Sequence, residues 1–139
     1  MKGLRLYKVE KLCSLTAIDL LFSHRGRGAE SNLSGSALCY PWRAVWRFDS
    51  VRTPRVAKFL ISVPKKRLRH AIDRVTMRRR CREAYRLSRH LLPEGVAVDI
   101  AFIYVGNGLT PYPPTFAAMG RLLGKIAQSS HNAQATEAL

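Results

Sequence analysis

Between Ser62 and Leu92 the chain reads SVPKKRLRHAIDRVTMRRRCREAYRLSRHLL. In it Lys65, Lys66, Arg67, Arg69, Arg74, Arg78, Arg79, Arg80, Arg82, Arg86 and Arg89 stand against two acids, Asp73 and Glu83. The chemistry such a run supports is recognition of a polyanion. A guanidinium stays charged at any physiological pH, and its planar fork donates two parallel hydrogen bonds to a phosphate. Most of the run is expected to be one helix: Ala, Leu, Met, Arg and Glu dominate, no Gly interrupts it, and Pro93 with Gly95 supplies a stop. Asp73 suits its N-cap or first turn. At about 100° per residue, Met77, Cys81, Ala84, Ser88 and Leu91 share an arc of about 80°, a narrow seam fit for a core. Arg74, Arg78, Arg82, Arg86 and Arg89 occupy the adjacent arc, with Arg79 at its edge and Arg80 across the seam. Like charges crowded on one face repel, and a bound polyanion relieves that repulsion.

Other chemistry finds no constellation. The nine acids are scattered, with no close pair for general acid–base work or a two-metal site. His24, His70, His90 and His131 have no ligand spacing with one another or with Cys13, Cys39 and Cys81. No serine sits in a nucleophile-elbow pattern. Gly106-Asn107-Gly108 is expected to be a plain turn, since no phosphate-loop pattern follows it. The polypeptide is therefore expected to supply no catalytic side chain and to hold no metal of its own.

The elements that must carry the basic run fit one domain. The 139 residues are 47% hydrophobic, enough for one core, and the net charge of +15 with a pI near 10.7 asks for an anionic partner. Three dispersed cysteines argue against a disulfide framework or a disulfide-linked partner and fit a reduced, cytoplasmic setting. No apolar run approaches the ~20 residues of a membrane span, and no signal-peptide core is present.

Lys11 to Ser23 has helical apolar spacing, and Arg25 to Ser36 is expected to be a loop. Ala37 to Phe48 is expected to be a strand limited by Pro41, and Val56 to Val63 a second strand. The basic helix follows. Val96 to Val105 is expected to be a central strand. A last helix places Phe116, Met119, Leu123 and Ile126 on one face, with Gly120 and Gly124 weakening it but allowing close packing. The expected fold is α+β, a small single-domain α/β sandwich of order α-β-β-α-β-α over residues 1–128, followed by a disordered tail over 129–139.

ISVPKKR, RHAIDR, REAYRLSRHLLP and VDIAFIYVG, in this order, resemble the protein subunit of bacterial ribonuclease P, particularly the Bacteroidetes-type version. The likeness is strongest over Phe59 to Gly106. LYKVEKL…AIDLLF looks like that family's first helix, and TPYPPTFAAMGRLLGKI like its last. The resemblance implies a basic domain that binds a catalytic RNA, the ribonuclease P RNA, whose ribozyme removes the 5′ leader of precursor tRNA. Magnesium is required by that RNA partner, and the protein alone binds no cofactor. The resemblance also implies a left-handed βαβ crossover containing the arginine helix, against the usual handedness.

By position, Lys65, Lys66 and Arg67 match the family's basic loop, and Arg74, Arg78, Arg79 and Arg82 match RNA-contacting helix positions. Arg69 and Arg86 lie in the same basic run and join them as RNA-binding candidates. Ile18, Phe22 and Trp46 fall where the family lines a leader-binding cleft, although core burial fits each of them equally. The family's Arg-Asn-Arg signature reads Arg74, Val75, Thr76 here, which removes up to two polar contacts. The alternative is a general or diverged RNA-binding module that no longer assembles with that RNA. A protein-only nuclease would need clustered carboxylates. A membrane-surface helix would need bulkier residues than Cys81, Ala84 and Ser88.

Overall fold

The computed structural model describes residues 10–12, 34–48, 56–93 and 95–138, with side chains of 131–138 left aside. A four-stranded sheet carries two helices on one face. Its strands are β1 (Ser34–Cys39), β2 (Trp42–Phe48), β3 (Ala57–Ser62) and β4 (Val98–Tyr104), in spatial order β1-β2-β4-β3. The helices are α1 (Ala71–Ser88) and α2 (Tyr112–Ala138), and a short 3-10 turn (Arg89–Leu91) extends α1. β1 and β2 are antiparallel, as are β2 and β4, while β3 and β4 are parallel neighbours. The crossover between those parallel strands is α1, so the arginine helix sits inside a βαβ unit as expected.

β4 reads as an almost continuous apolar run because it lies between two strands and is covered on both faces. Toward the helices it presents Val98, Ile100, Phe102 and Tyr104, opposite Phe48, Trp46, Ala44 and Trp42 of β2. On the far face Ala101 and Val45 pack with Leu12, whose N–H donates to the Phe59 carbonyl at 2.9 Å. Also on that face, Asp99 is buried and lies in register between Arg47 of β2 and Lys58 of β3. α1 adds Met77, Cys81, Ala84, Tyr85 and Ser88 to the helix-side core, and α2 adds Ala118, Met119, Leu122, Leu123 and Ile126. Tyr85 joins Phe59 and Phe102 in an aromatic cluster with ring centroids 4.3 and 5.7 Å apart. Burial pushes both the Tyr85 phenol and the Cys81 thiol well up from their ordinary pKa values.

Several expectations change. The single strand expected over Ala37–Phe48 is a hairpin, β1 turning through a cis Tyr40–Pro41 bond into β2. Its Pro41 carbonyl accepts from the Val105 N–H at 2.9 Å. Ser34–Ser36, expected to be loop, belong to β1 because β2 offers them a full antiparallel ladder. The helix expected over Lys11–Ser23 lies outside the described residues apart from its first two positions. In the arginine helix, Leu91 falls in the 3-10 turn and is exposed, and Tyr85 takes a core place in its stead. Of the four residues expected on one face of the last helix, Met119, Leu123 and Ile126 are buried and Phe116 is exposed. Gly120 and Gly124 pack closely against nothing, since a Cβ at either would meet no atom within 4 Å. The stretch expected to be a disordered tail is helix, α2 continuing to Ala138.

One buried hydrogen bond ties sheet to helix: the Trp42 Nε1–H donates to Thr115 Oγ1 at 3.1 Å. Thr115→Val keeps the shape and leaves that N–H unpaired. It should cost about 1–3 kcal/mol in urea unfolding, while Thr115→Ser should cost clearly less. Equal losses for both variants would show that the hydroxyl bond contributes nothing.

Candidate nucleic-acid interface

The basic loop before α1 is built rather than loose. Its Pro64 carbonyl accepts from the N–H groups of Arg67 (3.0 Å) and Leu68 (3.3 Å), and Leu68 is buried as a peg. One Arg74 nitrogen, Nη1, donates to the carbonyls of Leu68 (2.9 Å) and Arg69 (3.0 Å), latching the loop to the first turn of α1. Arg67 Nη1 donates to Asn107 Oδ1 at 3.1 Å, joining the loop to the turn after β4. That turn is held by the Tyr104 hydroxyl, which bonds to the Gly108 carbonyl and the Thr110 hydroxyl. Gly108 there has φ +76°, which a side chain would strain. Lys65, Lys66 and Arg69 point away from this scaffold and are exposed.

α1 begins at N-cap His70, whose side chain makes no cap bond, with Asp73 in the first turn facing the helix's positive end. Burying Met77, Cys81, Ala84 and Ser88 forces the opposite side outward. Arg79 and Arg82 are exposed there, and Arg78 is half-buried on the flank. From Arg78 to Arg86 the row spans about 12 Å. Among the described residues, the side chains of Lys65, Lys66, Arg69, Arg78, Arg79 and Arg82 have no hydrogen-bond or ion-pair partner.

The remaining arginines are engaged internally. Arg80, across the seam, donates to the Thr110 carbonyl. Arg89 is paired with Glu10 through one nitrogen at 2.5 and 2.6 Å, a contact that pins residue 10 beside the end of α1. Arg86 grips Glu83 two-pronged, with Nε at 3.0 Å from Oε2 and Nη2 on Oε1. The Arg86 hydrogen bonds hold the Glu83 carboxyl below its ordinary pKa, and Glu83 raises that of Arg86 in return. The pair is complete above the ordinary carboxylate range and is lost as pH falls through the depressed Glu83 value.

The expected site residues therefore divide. Lys65, Lys66, Arg69, Arg78, Arg79 and Arg82 form an open cationic surface. Arg67 and Arg74 shape it from within, and Arg86 is half-neutralised. Ile18 and Phe22 lie outside the described residues. Trp46 is only 4% exposed, in the helix-side core against Gly35, so its ring offers no face for a base to stack on. Its place in β2, in register with Ile100, turns it toward the helices. Val75 is 39% exposed on the outward side, Ile72 is 74% exposed, and the Thr76 hydroxyl is turned back onto the Ile72 carbonyl at 2.9 Å. The latching role of Arg74 leaves no trace in the sequence, whereas the Glu83–Arg86 spacing of three does. Among the described residues no three His, Cys, Asp or Glu side chains gather as a metal site, and no helix is long and apolar enough to cross a membrane.

Comparison with known proteins agrees with this geometry. Residues 16–126 match the family model for ribonuclease P. Two curated relatives, ribonuclease P protein components from Porphyromonas gingivalis strains ATCC 33277 and W83, are each 38% identical over 93 residues. Each match spans 63% of this chain and 68% of the relative. The Staphylococcus aureus RNase P protein structure superposes with a TM-score of 0.55 at 14% identity, covering 87% of this chain and 94% of that one. The Thermotoga maritima RNase P protein gives 0.51 at 18% identity, covering 88% and 93%. These two likenesses establish the fold.

Glu83 is the acid that damps the outward row. Glu83→Gln should tighten binding to a single-stranded polyanion such as poly(U) roughly twofold to fivefold and steepen the salt dependence by up to about one unit of slope. Unchanged affinity and slope, measured by fluorescence anisotropy over a salt series, would place the polyanion elsewhere.

Proposed function

The chain belongs to the ribonuclease P protein family, and from that premise we propose that it is the protein component of a ribonucleoprotein endoribonuclease acting on the 5′ leader of precursor tRNA. The observation that carries the reading is the open surface of Arg78, Arg79 and Arg82 on α1, with Lys65, Lys66 and Arg69 in the latched loop at its start. In this reading those cations bind phosphates of ribonuclease P RNA and of its precursor tRNA substrate. Arg74 and Arg67 hold the loop in shape before the RNA arrives, so less ordering is left to occur on binding.

Chemistry belongs to the RNA. Magnesium has no donor set among the described side chains: Glu10 is held by Arg89, Glu83 by Arg86, Asp99 is buried between strands, and Asp73 stands alone at the helix start. In this reading the magnesium requirement is that of the RNA partner, as the family resemblance implies. The protein contributes charge that lets two polyanions approach each other. Unbridged Cys39 and Cys81 agree with a reducing compartment, and the reading carries a cytoplasmic location with it.

Val75 and Thr76 stand where the family signature has an amide and a guanidinium. Thr76 turns its hydroxyl into the helix and Val75 offers only an apolar edge. The neighbouring Arg78, Arg79 and Arg82 supply the charge, so assembly is expected to survive. The test is cleavage of a 5′-leader precursor tRNA by the host's ribonuclease P RNA at low magnesium, with the protein added or withheld. Stimulation by the wild type, with no cleavage by protein alone, is the expected result. Rescue only by Val75→Asn/Thr76→Arg would mark a diverged RNA-binding module, and no stimulation by either would overturn the proposal.

A further inference from the structure

At the start of α2 lies a pair of aromatic rings, of which Tyr112 packs against the edge of the core and Phe116 is exposed. Tyr112 opens α2 and Phe116 follows four residues later, a spacing that puts both rings on one side of the helix. Their centroids are 6.0 Å apart and their planes 29° apart, so they stack, with Phe116 the exposed ring of the ledge. Phe116 is 38% exposed, while Met119, Leu123 and Ile126 on the neighbouring face are fully buried.

Tyr112 ties the ledge to α1. Arg80 of α1 donates to the Thr110 carbonyl two residues before Tyr112, which sets the start of α2 beside α1. Desolvation and then the Glu83 charge raise the Tyr112 phenol pKa, against Arg86. Its hydroxyl is covered and has no hydrogen-bond partner, so the ring is held by packing. One and two turns on, Gly120 and Gly124 face open space, leaving the approach to Phe116 clear along the helix.

We propose that the Tyr112–Phe116 ledge is a stacking platform for an unpaired base of an RNA whose phosphates lie along Arg79, Arg82 and Arg86. The inference rests on the RNA-binding reading above and extends its surface from α1 onto α2. A partner that neutralises arginines and also covers a flat apolar ring must carry both negative charge and flat π-faces, and single-stranded RNA carries both at every nucleotide. An acidic protein segment would satisfy the arginines and leave the rings without a flat partner.

The test measures binding to the host's ribonuclease P RNA by the full chain and by Phe116→Ala, Phe116→Leu and Phe116→Trp, each first shown to melt like the wild type. Loss of the ring should weaken binding roughly 5- to 100-fold in both the Ala and Leu variants. Their salt slope should be unchanged, because no cation is removed. Phe116→Trp should bind like the wild type, and its new indole should be quenched by RNA, while Trp42 and Trp46, both buried, stay shielded. Affinity within twofold of wild type for Phe116→Ala, retention by Phe116→Leu alone, an indole that RNA leaves unquenched, or quenching by poly-glutamate instead would each overturn the ledge. RNA binding absent from the wild type itself would overturn the functional reading, a result distinct from variants that bind as well as a binding wild type.

Discussion

The structure depends on the apolar stripe through which one helix meets its sheet. α1 meets the strands through Met77, Cys81, Ala84 and Ser88, with the buried Tyr85 ring reaching Phe59 and Phe102. Nothing on that stripe tolerates a charge, so every guanidinium on the helix is driven to a flank or outward. The same packing that builds the core thereby concentrates like charge on one surface, at a cost in self-repulsion. A helix so constrained folds comfortably in a protein whose working state has a polyanion against it.

Arginine then serves two purposes, separated by what acceptors lie within reach. Where a carbonyl or carboxylate is near, the side chain becomes part of the scaffold: Arg74 on the loop carbonyls, Arg67 on Asn107, Arg80 on Thr110 and Arg89 on Glu10. Where none is near, the cation stays open, as at Arg78, Arg79 and Arg82. The two populations cooperate, because the internal bonds fix the loop that holds Lys65, Lys66 and Arg69. On the proposed reading, the exposed Phe116 ring of α2 adds an apolar contact to a surface that otherwise offers only charge.

Much of this was legible in the sequence. β3, β4 and α1 announce themselves by a continuous apolar run, a closing proline and a 3.6-residue seam, and the scarcity of acids named the partner class. What escaped reading depends on contacts between distant residues. Ser34–Ser36 look like loop by composition and become strand because β2 supplies a ladder. Phe116 shares the helical period of the core residues, yet the helix turns so that Thr115 and Ala118 face inward and the ring faces out. Trp46 fitted a cleft position and the core equally on sequence, and only the strand register decides for the helix-side core. Arg74 looked identical to the arginines after it, and only the path of the preceding loop makes it a latch.

The central claim is that the open row on α1 is where RNA phosphates lie. It is tested most directly by the salt dependence of affinity for ribonuclease P RNA, comparing the wild type with Arg78→Gln/Arg79→Gln/Arg82→Gln. These side chains bond to nothing within the described protein, so the fold should hold. The account predicts a log K against log salt slope shallower by roughly 2 to 3 units, about 0.7–0.9 for each phosphate released. An unchanged slope in a folded variant would contradict it and move the RNA to another face.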